Sequence, residues 1–509
     1  MIIPLVRRAL PSPPPVPAVI ALMAATGGAI VAWRYHQLGL TLSHYDARGH
    51  LIVARRIADS ITPGWQQIGA VWLPLPHLLN AIPVQVDLFY RTGASGVAIS
   101  IAAFAIATGA IGWIVKALTG SAGATAAAAA VFALNPNVLY LQSTPMTEPL
   151  LLATTTVAVA MLIAWSRSPP YVVSNFSRTG VRHVGIAFAL ACLTRYEAWP
   201  VTVSALGAAV WARWRRGLPL GAATREVSTM AVYPAVAILT FFAFSRVVIG
   251  EWFVGSGFFV PENKALSDPM MAAAEIGWGA RMLSGVALTW LGAAGAAIAL
   301  AIGLFNRRRA DTLIVVSLLG MAAVPWTAFV KGHPFRIRYM VPLMAMEAIG
   351  VGLAAGVVSS RRARMVFAIA LLILAGYELR PFDASAPMVV EAEWDRPNAP
   401  VRARVTACLG DRARGEKVMA SMGSLGHYMQ EASRSGFAIQ DFLHEGNGDI
   451  WLAALDSPLP FVNWILIEEK AEGGDMLARL AREQPSFLKG YERICEGAGL
   501  VLYRKRDHG

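Results

Sequence analysis

The stretch His44-Tyr45-Asp46-Ala47-Arg48-Gly49-His50, with Trp72-Leu73-Pro74-Leu75-Pro76-His77 soon after, gathers titratable groups directly behind the first long apolar segment. Charged groups at membrane depth cost about 2.5–3.5 kcal/mol each on insertion scales, so they persist where a partner or a reaction needs them. Similar groups recur in Asn135-Pro136-Asn137 through Thr147-Glu148-Pro149, in Thr194-Arg195-Tyr196-Glu197, and in Lys331-Gly332-His333-Pro334-Phe335-Arg336-Ile337-Arg338-Tyr339. Asp46, with Glu148 or Glu197 to orient it, suits removal of a proton from a hydroxyl. A carboxylate nearby also stabilises an oxocarbenium-like transition state. Arg195, Arg336 and Arg338 offer forked donors for a phosphate, with His333 and Tyr339 beside them. These residue types describe transfer of a group carried on a lipid phosphate.

Each has a plainer alternative. Asp46 could pair with Arg48 or Arg56, and Glu148 could be a first-turn acid favoured by the helix dipole. Arg195 and Glu197 could form a structural pair, and Arg336 and Arg338 could anchor to lipid headgroups. His44, Tyr45, His50, Trp72 and His77 are read as support for Asp46. The histidines show no spacing that builds a metal site.

The elements that must hold these groups follow from composition. Of 509 residues, 56% are hydrophobic and only 15% charged, which describes an all-α polytopic membrane bundle. The net charge of +12 falls in short arginine runs between apolar segments, so it marks topology and excludes a nucleic-acid partner. About eleven spans are expected, near 16–33, 95–118, 122–140, 146–165, 183–194, 198–214, 229–249, 283–305, 312–330, 340–358 and 365–379. The first is read as a retained anchor behind Arg7 and Arg8. Loops bearing Arg7 and Arg8, Lys116, Arg167, Arg213 to Arg216, Arg307 to Arg309 and Arg361 to Arg364 are expected to be cytoplasmic. The candidate residues and the C-terminal tail then share the outer side of the plasma membrane.

Within the first outer loop, residues 41–87, the pattern from His50 to Ile61 reads as a helix lying at the membrane surface. The Pro-broken stretch from Leu73 to Val84 reads as a re-entrant lead-in to the next span. Gly255-Ser256-Gly257 could form a lid. Residues 1–379 are expected to be the membrane domain and 380–509 a small α/β domain, with strands at 461–468 and 499–503 and helices at 423–433 and 475–483. In an oxidising compartment Cys408 and Cys495 could form a disulfide rather than two free thiols.

An N-terminal span, an acidic first outer loop with a surface helix, a "WLPLPHLL" lead-in, a later "MTEP" and a late "RYMVPL" together resemble the GT-C integral-membrane glycosyltransferases. The likeness is to the protein mannosyltransferase and lipid A aminoarabinose transferase type and covers about 16–379. It implies an inverting enzyme that takes a sugar from a polyprenyl-phosphate donor to an acceptor glycan, lipid or protein. It also implies that Asp46 acts as base or helps hold a divalent cation such as Mg or Mn, and that Arg336 or Arg338 binds the donor phosphate. Many members carry two neighbouring acids in the first loop, whereas Ala47 and Arg48 follow Asp46 here. A lipid-linked-sugar flippase and a non-catalytic envelope-assembly subunit are the competing readings.

Overall fold

The computed structural model describes residues 16–167, 175–253, 261–358, 360–410, 415–470 and 474–506. Arg7, Arg8 and the Gly255-Ser256-Gly257 turn lie outside the described residues. The fold is a helical membrane bundle carrying a small sheet domain at its C-terminal end.

Seven described segments are long and apolar enough to cross a membrane: Val16–Gln37 (α1), Ala94–Thr119, Glu148–Arg167, Leu220–Ile249, Val286–Phe305, Arg307–Val330 and Ile337–Gly356. The other expected spans are shorter or more charged. Ala122–Ala133 stops before Asn135, whose side chain caps the separate Pro136–Leu141 helix. Two of the seven are not uniform α-helices, since Arg307–Val330 alternates 3-10 and α turns and the "RYMVPL" motif forms a 3-10 turn over Ile337–Leu343. That turn leads into Met344–Gly356, which packs against Val286–Phe305 so closely that a methyl group at Gly295 would fall on the Gly350 carbonyl. Small residues let membrane helices approach in this way without a hydrophobic driving force.

The first loop differs from expectation. Its helix, α2, runs Tyr45–Arg55, so it begins earlier and ends sooner than the 50–61 pattern. His44 supplies the cap, its Nδ1 accepting from the Asp46 N–H at 3.1 Å, which puts Asp46 in the first turn. Nor does α2 lie open at a membrane surface, because Leu51, Ile52 and Ala54 join a core with Leu425, Tyr428 and Met429 of the tail helix Met422–Ala432. Each buried aliphatic side chain there contributes about 1.5–3 kcal/mol. The proline-broken lead-in becomes a short helix, α3 (Leu75–Asn80), tied to the bundle by the Leu75 N–H donating to the Leu193 carbonyl at 3.0 Å.

The tail sheet has the order β2-β1-β3-β5-β4, with β1 (Val418–Ala420), β2 (Phe442–Leu443), β3 (Trp464–Glu468), β4 (Tyr491–Gly497) and β5 (Leu500–Lys505). The first three are parallel and β5 is antiparallel to both β3 and β4. A disulfide joins Cys408 to Cys495, linking the Ala399–Leu409 helix to β4. The carboxyl ends of parallel strands are where α/β domains usually take ligands, but here the first loop occupies the carboxyl end of β2 and also reaches the residues just before that strand. Gln67 donates to the Gly446 carbonyl at 2.7 Å, Asn447 donates to Ser60 and Thr62 at 3.2 and 3.0 Å, and Asp59 accepts from the Ile439 and Gln440 N–H groups at 3.2 and 3.0 Å.

At the other end of α2, Arg48 is buried, donates to the Leu42 carbonyl at 2.6 Å and pairs with Glu431. Arg402 binds the same carboxylate at 2.7 Å and Asp395 at 2.7 Å. Arg48 therefore serves the tail and is not the partner of Asp46. Arg48→Leu removes a buried charge-assisted bond and is expected to cost about 2 kcal/mol, moderated because Arg402 still neutralises Glu431. Thermal unfolding of the purified full chain would show this as a lowered midpoint, and an unchanged midpoint would rule out the Arg48 tie as a stabilising contact.

Candidate active site

Asp46 projects from the first turn of α2 onto Arg338 of the 337–343 turn, and the two form a buried ion pair. Neither side chain is more than a tenth exposed. Burial of a carboxylate opposes its ionisation, but the Arg338 guanidinium outweighs this and holds Asp46 at about 2. Arg338 also stacks its guanidinium on the Tyr339 ring at 5.2 Å, and its Nε is buried without a hydrogen-bond partner.

A second charged island lies beside the first. Arg195, in the short link before the Ala198–Arg215 helix, donates from Nη1 to Thr147 Oγ1 at 3.0 Å and to Glu148 Oε1 at 2.9 Å. Its Nη2 donates to Glu197 Oε1 at 2.7 Å. Burial favours its neutral form, yet the two carboxylates override that and raise its pKa further. Glu148 opens its span fully buried, with Oε2 lacking a partner. The islands interact: Glu148 attracts Arg338, and Arg195 and Arg338 repel one another.

Between them stand the histidines. His50 lies one helical turn after Asp46 on the same face of α2, under the Trp72 ring at 4.2 Å. Its Nδ1 meets Nε2 of His77 at 3.1 Å, and Nδ1 of His77 meets the Leu73 carbonyl at 3.2 Å. Both imidazoles are buried and favour the neutral form; burial, with Arg56 adding to it, lowers His77 to about 3. His50, His77, Ser100 and Thr147 line a cleft of ≈ 20 Å³, room for one water-sized group.

The structure thus gathers Asp46, Glu148, Arg195, Glu197, Arg338, His50, Trp72 and His77, drawn from five separate segments. It places others at the margin. His333 meets its own neighbour, the Pro334 carbonyl, at 2.8 Å and the Tyr339 hydroxyl at 3.5 Å, and Arg336 lies within electrostatic reach of Tyr45. Tyr45 stacks on His44 at 4.8 Å, and Arg56 donates to the Gln67 carbonyl. The asparagines of Asn135-Pro136-Asn137 are structural, since both donate to the Leu283 carbonyl while Asn137 accepts from the Met388 N–H. Sequence reasoning missed Glu391, which faces Nε2 of His44 at 3.5 Å from the start of the tail. Nothing in its local pattern marks it.

The donor set does not fit a divalent cation at Asp46. Its carboxylate is engaged by a guanidinium, and among the described residues no three acid, histidine or cysteine side chains converge as metal ligands.

No protein-family model matches the sequence, and no match was found among curated proteins. Solved structures do match in fold. ArnT from Cupriavidus metallidurans bound to undecaprenyl phosphate superposes with a TM-score of 0.58 at 13% identity, over 96% of this chain and 98% of that one. The oligosaccharyltransferase of Archaeoglobus fulgidus in the apo form gives 0.53 at 11% identity, over 88% and 70% of the two chains. The AglB oligosaccharyltransferase of the same organism, in complex with an inhibitory peptide and a dolichol-phosphate, gives 0.50 at 11% identity, over 93% and 72%. The chain shares the membrane fold of these structures, and its apolar helices make it a membrane protein.

The charge state of Asp46 gives a pH signature. Its folded pKa lies below the ordinary carboxylate value near 4, so its contribution, on the order of 2 kcal/mol, is present above that value and lost as pH falls towards 2. Asp46→Asn is therefore expected to unfold at a lower temperature than wild type at pH 7, with the difference shrinking towards pH 2. An offset that stays constant across that range would show that the pair with Arg338 does not set the carboxyl's ionisation.

Proposed function

We propose that this chain is an inverting glycosyltransferase that moves a sugar from a polyprenyl-phosphate donor to an acceptor hydroxyl at the outer face of the plasma membrane. The observation that carries this reading is the buried Asp46–Arg338 pair, with Arg338 Nε and Glu148 Oε2 left unpartnered beside it. An isolated buried donor costs about 1–3 kcal/mol, and a phosphate oxygen would satisfy it. The neighbours co-crystallised with undecaprenyl phosphate and with dolichol-phosphate lend support.

In this reading Arg338 and Arg195 take up the charge on the departing phosphate as the bond from the anomeric carbon to the phosphate oxygen breaks. Donors placed where charge develops contribute about 10²–10³ each to rate. The acceptor oxygen attacks the opposite face of the sugar, which inverts it, and gives up its proton. The ionised Asp46 lies where positive charge grows on the sugar ring. Held at about 2 by Arg338, it is a weak base. Glu148 and Glu197 hold Arg195 in place. The outer-face assignment rests on the arginine-rich loops, which alternate with the loops that build the site. It puts the N-terminus in the cytoplasm and the tail, from about residue 380, outside. Crowding of ionisable groups at one set of helix ends favours transfer over transport, and the tail is read as a support for the site.

The experiment is transfer from a panel of undecaprenyl-phosphate-linked hexoses and pentoses by the full chain in lipid nanodiscs, with undecaprenyl phosphate binding measured alongside. Asp46→Asn is expected to remain folded at pH 7 and bind undecaprenyl phosphate, yet lose transfer at least 10³-fold. Full activity in that variant would remove Asp46 from the mechanism. Arg338→Gln is expected to weaken undecaprenyl phosphate binding more than tenfold, and unchanged binding would take the phosphate role from Arg338.

A further inference from the structure

The transferase reading leaves one proton without a destination, because the ionised Asp46 is engaged by Arg338. The two buried histidines between the charged islands are not needed to neutralise either pair. Their tautomers follow from what each ring faces. A backbone carbonyl only accepts, so Nδ1 of His77 carries the hydrogen in its contact with Leu73. In a neutral imidazole Nε2 of His77 is then the acceptor, and Nδ1 of His50 must donate to it across 3.1 Å. His50 is therefore left with a bare Nε2 lone pair, which has no hydrogen-bond partner among the described residues.

The groups facing His50 come from four elements. Asp46 shares its face of α2, His77 comes from α3, Arg195 from the link before Ala198–Arg215, and Arg338 from the 337–343 turn. Trp72 covers the ring, and Arg56 faces His77. The cleft that His50 lines with Thr147 has room for a single water-sized group, the size of one hydroxyl.

We propose that His50 is a catalytic residue whose Nε2 receives the acceptor hydroxyl's proton, and that His77 is the positioning residue that fixes its tautomer. As the acceptor oxygen bonds to the anomeric carbon, its O–H bond breaks and the proton passes to Nε2. The phosphate leaves with the electron pair of the broken C–O bond. The imidazolium so formed is stabilised by Asp46 one turn earlier and keeps its Nδ1–H on His77. No oxidant, reductant or metal enters the step.

This inference rests on the transferase reading, and the two can fail separately. In the same nanodisc assay His50→Gln is expected to lower kcat by 10²–10⁴-fold while leaving KM for the donor and undecaprenyl phosphate binding within threefold of wild type. His77→Leu, which removes the acceptor for Nδ1, is expected to fall by a similar factor. His77→Gln, whose amide oxygen can replace Nε2, is expected to recover at least tenfold over His77→Leu, a difference that a purely packing role would not give. Nitrogen-15 spectra of histidine-labelled full chain should show His50 protonated at Nδ1 and bare at Nε2. A hydrogen on Nε2, or more than a tenth of wild-type kcat retained in His50→Gln, would overturn the proposal while leaving the transferase reading intact. Wild-type protein that turns over none of the panel would overturn the transferase reading and this step with it.

Discussion

The site is organised by one requirement, that the charge on Asp46 be neutralised away from water. Moving an isolated carboxylate out of water costs several kcal/mol even after relaxation, and a lone guanidinium costs as much. Asp46 and Arg338 meet because neither is tolerable alone, and that meeting fixes the height and rotation of α2 against the 337–343 turn. The Arg195 cluster repeats the device with two carboxylates for one guanidinium.

α2 is the element shared by every layer of the protein. One face carries Asp46 and His50 towards the bundle, while Leu51, Ile52 and Arg48 belong to the tail's core and its charged network. The neighbouring loop fills the end of β2, where an α/β domain would otherwise hold a ligand. The tail thus reads as a brace for the first loop.

Much of this was legible in the sequence because its physics is local. Long apolar runs gave the spans, Asp46 stood out as an acid directly behind the first of them, and strong apolar stretches marked β3 and β5. What was not legible depends on distant partners. Arg48 is closer to Asp46 in sequence than Arg338, yet it binds Glu431, and only the folded path of the chain decides between them. The start of α2 was misplaced because His44, outside the usual Ser, Thr, Asp and Asn set, serves as its cap. β1 and β2 are three and two residues long, too short for any alternation, and they exist because β3 offers an edge to β1, and β1 to β2. Glu391 carried no signal at all.

Because residues 59–67 are gripped by the segments flanking β2, the tail sheet and the buried charges of the site form one thermodynamic unit. Linkage is reciprocal for binding free energies: a lipid headgroup that tightens α2 must also tighten the tail's hold on the loop. An antibody or inhibitor that recognised the tail only when pried from this loop would by the same necessity weaken the grip on that headgroup, without touching the site.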